Sequence, residues 1–258
     1  MTLLDRVFRL TEHGTTVRTE IVAGLTTFLT MAYIIFVNPT ILADAGMPRD
    51  AVFVATCLIA ALGSAVMGLY ANYPIAMAPG MGLNAYFAYA VVGGMGFTWQ
   101  AALGAVFVSG CLFFAVTLFR LRELIIKGIP HSLRIAITVG IGLFLALIAL
   151  KSAGLVVASE ATFVTLGDLH SPTVVMAVIG FFVIIVLDRL RVRAAILIGI
   201  LAVTVMSFFF GDNRFDGLFA LPPSIAPTFL QLDVKAALTT GFLNVVLVFF
   251  LVELFDAT

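Results

Sequence analysis

Long apolar runs, almost free of Asp, Glu, Lys and Arg and separated by short polar breaks, dominate the chain. A window of about 19 residues picks out eight of them, at 21–37, 51–70, 74–96, 98–119, 135–150, 172–187, 194–210 and 236–255. A bilayer-spanning helix needs about 20 consecutive apolar residues. The pattern therefore predicts an all-α polytopic membrane protein with eight spans. The fifth and sixth runs are short, which predicts that residues 153–157 carry the fifth helix past Lys151. Asn38-Pro39 reads as a helix end, 120–134 as an amphipathic connection, 211–235 as a long proline-containing loop, and Gly93-Gly94-Met-Gly96 as a flexible outer turn.

Composition sharpens this picture. Hydrophobic residues make up 62% of the 258 and charged ones 11%, against about 25% charged in soluble domains, so a water-soluble globule is excluded. Fourteen basic residues balance fourteen acidic ones, which gives no argument for a nucleic-acid or acidic partner. Cys57 and Cys111 both lie in apolar runs and read as small core residues, not as a disulfide. The basic residues fall mainly in the leader (Arg6, Arg9, Arg18), the fourth connection (Arg120 to Arg134) and the sixth (Arg189, Arg191, Arg193). By the positive-inside rule these face the cytoplasm. The expected layout is a retained cytoplasmic leader at 1–20, spans at 21–210, an extracytoplasmic loop at 211–235 and a further span from 236 to 258. Only three residues follow the last apolar run and no basic flank closes it, which predicts that the chain continues and that this is an N-terminal fragment.

Candidate chemistry concentrates in the third and eighth runs. Pro79, Gly80 and Gly82 interrupt the third, and proline together with glycine disfavours helix there. Freed backbone groups cannot face lipid, so such a stretch must be buried in protein or line a wet cavity, as the broken spans of secondary transporters do. Residues 78–85 are accordingly expected not to form one continuous α-helix. Asn84, with two donors and an acceptor, follows at once, and Tyr86 and Phe87 offer rings for stacking. Glu253 and Asp256 share one helical face of the eighth run; acids there either turn inward for a purpose or mark the cytoplasmic interface. Thr26, Thr27 and Thr30 on the first span can bond their own carbonyls, glue helices or touch a ligand. His131 stands beside a basic cytoplasmic turn, as a gate or as an interfacial histidine. The three histidines are far apart, and no His-Glu-x-x-His, Gly-x-Ser-x-Gly or phosphate-loop pattern occurs, so no catalytic residue, metal ligand or cofactor site is assigned.

Long stretches resemble the AzgA-type adenine, guanine and hypoxanthine permeases of the nucleobase:cation symporters. They are Arg18-Thr-Glu-Ile-Val-Ala-Gly-Leu-Thr-Thr-Phe-Leu-Thr-Met-Ala-Tyr-Ile-Ile-Phe-Val-Asn-Pro39, Ala78-Pro-Gly-Met-Gly-Leu-Asn-Ala-Tyr-Phe87, Gly128-Ile-Pro-His-Ser-Leu-Arg134, Leu221-Pro-Pro-Ser-Ile-Ala-Pro-Thr-Phe-Leu230 and Glu253-Leu-Phe-Asp-Ala-Thr258. The resemblance implies a fold of fourteen spans in two inverted seven-span repeats, with a purine held between the third, eighth and tenth. This chain would supply the first repeat and the start of the second. Leu25-Thr-Thr-Phe-Leu29 in the first span has a faint counterpart in Leu238-Thr-Thr-Gly-Phe-Leu243.

The implied activity is proton-coupled import of purine nucleobases across the cell (inner) membrane, with purine, proton and lipid as partners and a homodimer as one arrangement. The implied substrate-binding residues are Gly82, Asn84, Ala85 and Tyr86 on the third span, Glu253 and Asp256 on the eighth and Thr27 on the first. Asp256 is preferred to Glu253 as the ligand-facing acid, because it opens the family-like Asp-Ala-Thr stretch. A sulfate-type anion carrier on the same fold is the rival within transport, disfavoured if an acid faces the site. An embedded enzyme or receptor is the rival outside it, and would need a catalytic cluster or an attached soluble domain.

Overall fold

Thr16 starts the first helix: its side-chain oxygen accepts from the Thr19 amide at 3.3 Å, and Glu20 in the first turn takes the Thr15 hydroxyl at 2.7 Å, beside the positive end of the helix dipole. The computed structural model describes residues 8–121, 125, 128, 130–192, 194–210, 221–238 and 243–256, with backbone but not side chains for 131, 134, 255 and 256. The order is α1 (Val17–Met31), α2 (Ile34–Asp44), α3 (Arg49–Leu69), α4 (Met81–Ala85) running into a π-helix (Tyr86–Gly94), α5 (Trp99–Leu118) and α6 (His131–Ser152). A hairpin of β1 (Val156–Ser159) and β2 (Phe163–Leu166) follows, then α7 (Pro172–Arg189), α8 (Ala195–Phe210), α9 (Val234–Ala237) and α10 (Leu243–Asp256). Among the described residues, five helical stretches are long and apolar enough to cross a membrane: Val17–Asp44, Arg49–Leu69, Trp99–Leu118, Ile135–Ser152 and Pro172–Arg189. Two shorter apolar helices lie at Ala195–Phe210 and Leu243–Leu254. Large side chains such as Phe114, Phe181 and Phe209 stand exposed on them, as a lipid-facing surface requires. The chain is a mostly helical, polytopic membrane protein.

Four local expectations need correction. Asn38-Pro39 does not end a helix, because Pro39 lies inside α2. A single missing amide donor is tolerated where neighbouring helices can satisfy the freed carbonyl. Residues 153–157 do not extend the fifth helix. That helix gains its length at the other end, from His131, and Gly154 at φ 76° then turns the chain into the hairpin, with Val156 opposite Leu166 and Ser159 opposite Phe163. The β-branched and aromatic side chains of both strands carry the β preference that the apolar count concealed. Gly93 and Gly94 are helical, and only Gly96, at φ 73°, makes the turn. The eighth apolar run is helical at Val234–Ala237 and again from Leu243, not over a single described stretch. Residues 122–124, 126, 127 and 129 of the 120–134 connection, the His131 side chain and residues 211–220 lie outside the described residues.

The chain divides into two units. The first comprises Met1–Val37, Thr56–Ala78 and Leu147–Pro222, and the second Asn38–Ala55, Pro79–Ala146 and Pro223–Thr258. In the first, α7 packs on α8 through facing small residues. A Cβ on Gly180 would strike the Val203 side chain, and one on Gly199 would strike Ile184. In the second, α5 packs against α9, α10 and the π-helix. Its Ala101, Ala102, Gly104 and Ala105 are buried, and Gly104 admits the backbone carbonyl of Asp233 where any side chain would collide. The Asp233 amide donates to the Gln100 carbonyl at 2.9 Å, fixing the start of α9 on this face.

Candidate functional site

The break in the third apolar run is a non-helical leg over residues 72–80 that leads into the α4 and π-helix stretch. Gly80, at φ −73° and ψ 117°, is the last non-helical residue, and the Asn84 amide already bonds to its carbonyl at 3.2 Å. Residues 78–85 are therefore not one continuous α-helix. The change falls at Gly80, and Gly82 belongs to the first helical turn. A side chain supports the non-helical backbone: Ser64 Oγ accepts from the Met77 amide at 2.9 Å and donates to the Met77 carbonyl at 3.4 Å. This follows the rule that non-helical backbone at membrane depth finds its partners inside the protein.

In the second unit the helical part of this run meets the last helix. Tyr86, the first π-helical residue, sets its ring edge-on to Phe249 of α10, with centroids 5.3 Å apart and planes at 81°. Ala85 is fully buried and Phe87 is a core residue, so of the two aromatics proposed for stacking only Tyr86 retains some exposure. A Cβ added to Gly82 would lie 3.0 Å from the Ile141 side chain. Asn84, half-buried, donates from Nδ2 to Oδ1 of Asn38 on α2. Within the π-helix that follows, the Tyr89 hydroxyl donates to Asp44 Oδ2 at 2.7 Å. Two polar bonds thus tie α2 to the third run.

Glu253 lies one helical turn beyond Phe249 on the same side of α10, and its Oε2 accepts from Ser109 Oγ on α5 at 3.1 Å. Ser109 is wholly buried. The backbone of Asp256 completes α10, and its side chain lies outside the described residues.

Thr27 belongs to the first unit. Its hydroxyl donates to the Ala23 carbonyl of its own helix at 3.0 Å, and the residue lines a groove of about 570 Å³ shared with Thr56, Ser64 and residues 73–78. The structure therefore gathers Gly82, Asn84, Ala85, Tyr86 and Glu253 in one unit and places Thr27 in the other.

Three participants escaped sequence reasoning. Asn38 was absorbed into a supposed helix end, Ser109 is one small residue in an apolar run, and Tyr89 carried no motif. The available signal was polarity inside a span, where an amide, a hydroxyl or a phenol needs a partner.

Comparison with known proteins agrees with this architecture. AdeQ, an adenine permease of Escherichia coli (strain K12), is 50% identical over 255 residues, covering 99% of this chain and 57% of that protein. PbuO, a guanine/hypoxanthine permease of Bacillus subtilis (strain 168), is 45% identical over 258 residues, covering 98% and 60%. The nucleobase transporter PlAzg2 of Paenibacillus larvae subsp. larvae (strain NRRL B-3650 / LMG 16245) is 37% identical over 252 residues, covering 93% and 49%. The chain thus spans roughly half to three fifths of the length of these relatives. A family model described as "Permease family" matches residues 18–258. That match takes in both the broken third run and the acidic last helix, and the chain belongs to the Permease family.

Proposed function

We propose that this chain is the first part of a secondary active transporter that imports purine nucleobases (hypoxanthine, guanine and adenine) across the cell membrane by proton symport. In this reading residues 1–20 are cytoplasmic, 21–210 form the first of two inverted repeats, 211–235 lie outside and 236–258 begin the second repeat.

The observation that carries the reading is that two acceptor-bearing side chains lie on elements packed against each other. Asn84 sits on the broken third run, and Glu253 on the helix whose Phe249 meets Tyr86. Purines are flat and rich in N–H donors. A carboxylate beside the ring receives them through charge-assisted bonds, which are about twice as strong as neutral ones, and it can exchange a proton at the same place. The same carboxylate repels sulfate. The relatives named above are a permease for adenine, one for guanine and hypoxanthine, and a nucleobase transporter.

The test is uptake of radiolabelled hypoxanthine by the complete product of the gene in a permease-deficient strain, with guanine, adenine, uracil and sulfate as competitors and with the proton gradient intact or collapsed. Competition by purines, with uptake lost when the gradient collapses, is the expected result. Competition by sulfate with indifference to purines would replace this reading with the anion carrier.

A further inference from the structure

The Asn38–Asn84 contact fixes more than a distance, because a carboxamide has two unlike ends. Asn38 is 3% exposed and sits in the middle of α2, directly before Pro39. A buried amide must be hydrogen-bonded or forfeit its hydration without return. Its Oδ1 takes one of the two Nδ2 hydrogens of Asn84, which turns the amino end of the Asn84 side chain toward the protein. Among the described residues the carbonyl end of Asn84 has no partner.

The Tyr89–Asp44 bond keeps the orientation from drifting. It joins the third run to α2 at a second point.

We propose that Asn38 is a positioning residue that sets the sense of the Asn84 carboxamide, so that Asn84 meets its ligand as a hydrogen-bond acceptor and the site demands an N–H donor at that edge of the base. This rests on the purine reading above and deepens it. The pair supplies a specificity filter, since a purine whose matching N–H is replaced by N–CH₃ loses the bond and leaves the Asn84 oxygen unsatisfied. An apolar residue at 38 frees the Asn84 amide to turn, and the filter fades.

The experiment uses the complete gene product in permease-deficient cells, with surface abundance quantified. Inhibition constants are measured for hypoxanthine, adenine and their singly N-methylated forms, in wild type, Asn38→Asp, Asn38→Leu and Asn84→Asp. Wild type should discriminate against one methylated position by about fivefold to tenfold, the worth of one neutral hydrogen bond. Asn38→Asp retains an oxygen for the Asn84 amide and should preserve that ratio. Asn84→Asp removes the donor and keeps an oxygen on the ligand side, and should preserve it too. Asn38→Leu should bring the ratio to near one and raise KM more than it lowers the maximal rate.

An unchanged ratio in Asn38→Leu at normal abundance overturns the proposal, as does an Asn38→Asp that behaves like Asn38→Leu. If Asn38→Leu fails to reach the membrane, Asn84→Asp decides: loss of the ratio there shows that Asn84 serves as a donor. Absence of wild-type purine uptake sinks the purine reading and the filter together, whereas wild-type uptake with an unmoved Asn38→Leu ratio sinks the filter alone.

Discussion

Polar side chains on the first helix and on the third run look alike in the sequence and behave in opposite ways in the structure. On α1, Thr26, Thr27 and Thr30 each donate a hydroxyl to a carbonyl of their own helix, at 2.8, 3.0 and 2.7 Å. On the third run and α10, Asn84, Tyr89 and Glu253 bond to side chains 46, 45 and 144 positions away in sequence. A hydroxyl that closes on the preceding turn is satisfied wherever its helix is placed. A carboxamide or carboxylate is too polar to be left alone in a low-dielectric interior, so it enforces a particular arrangement of helices. The difference teaches that polarity within a span marks a site only where the bond crosses between elements.

The largest expected effect tests the acid end of that contrast. Asp256→Asn in the complete protein should abolish high-affinity purine binding, a loss of about tenfold to a hundredfold, the worth of a charge-assisted bond. Glu253→Gln should be milder, because Glu253 is already engaged by Ser109 at one oxygen and an amide oxygen can accept that same bond. Equilibrium binding of labelled hypoxanthine to membrane-inserted protein measures both. The reverse ranking would make Glu253, held by Ser109, the stronger of the two acids at the ligand.

Ser109 gives a smaller and sharper test. Ser109→Ala removes a buried donor without adding volume, leaves one Glu253 oxygen without its partner, and should weaken purine affinity by roughly fivefold, about 1 kcal/mol. If the Ser109–Glu253 bond only holds α5 against α10, the melting temperature in detergent will fall while affinity stays at the wild-type value. The two readouts separate a bond that serves the ligand from one that serves the scaffold.

How much of this was legible beforehand follows the physics of each signal. Membrane class was plain from run length, because lipid accepts only long apolar helices. The break before Met81 was legible because Pro79 and Gly80 act through local backbone sterics. Its position relative to Gly82 was not, since a helix start without a side-chain cap leaves no residue signature. The hairpin at Val156–Leu166 was hidden because apolar β-branched residues beside a span read as more span. Asn84 stood out as a polar residue next to a break. Its partner Asn38 did not, because Pro39 offered a local explanation that the tertiary structure overrides. Ser109 and Glu253 are 144 residues apart, and no periodicity links them.

The smallest expected effect falls on Thr27, which sequence reasoning had placed among the ligand residues. Its hydroxyl already donates to the Ala23 carbonyl, which is itself the acceptor of an ordinary helical bond, so the hydroxyl adds little and can be removed cheaply. Thr27→Val keeps the branched shape on the wall of the groove beside Thr56 and Ser64 and removes only the oxygen. Stability should change by less than about 0.5 kcal/mol, as at sites away from any special feature, and purine uptake should remain within about twofold of wild type at equal abundance. The companion Ser64→Val should be worse, because it removes the side chain that, among the described residues, bonds the Met77 amide and carbonyl on the non-helical leg. A Thr27→Val defect in uptake equal to that of Ser109→Ala, with normal melting, would break the comparison: a hydroxyl closed on its own helix would then have opened to the ligand, and bonds within an element could no longer be set aside when a site is sought.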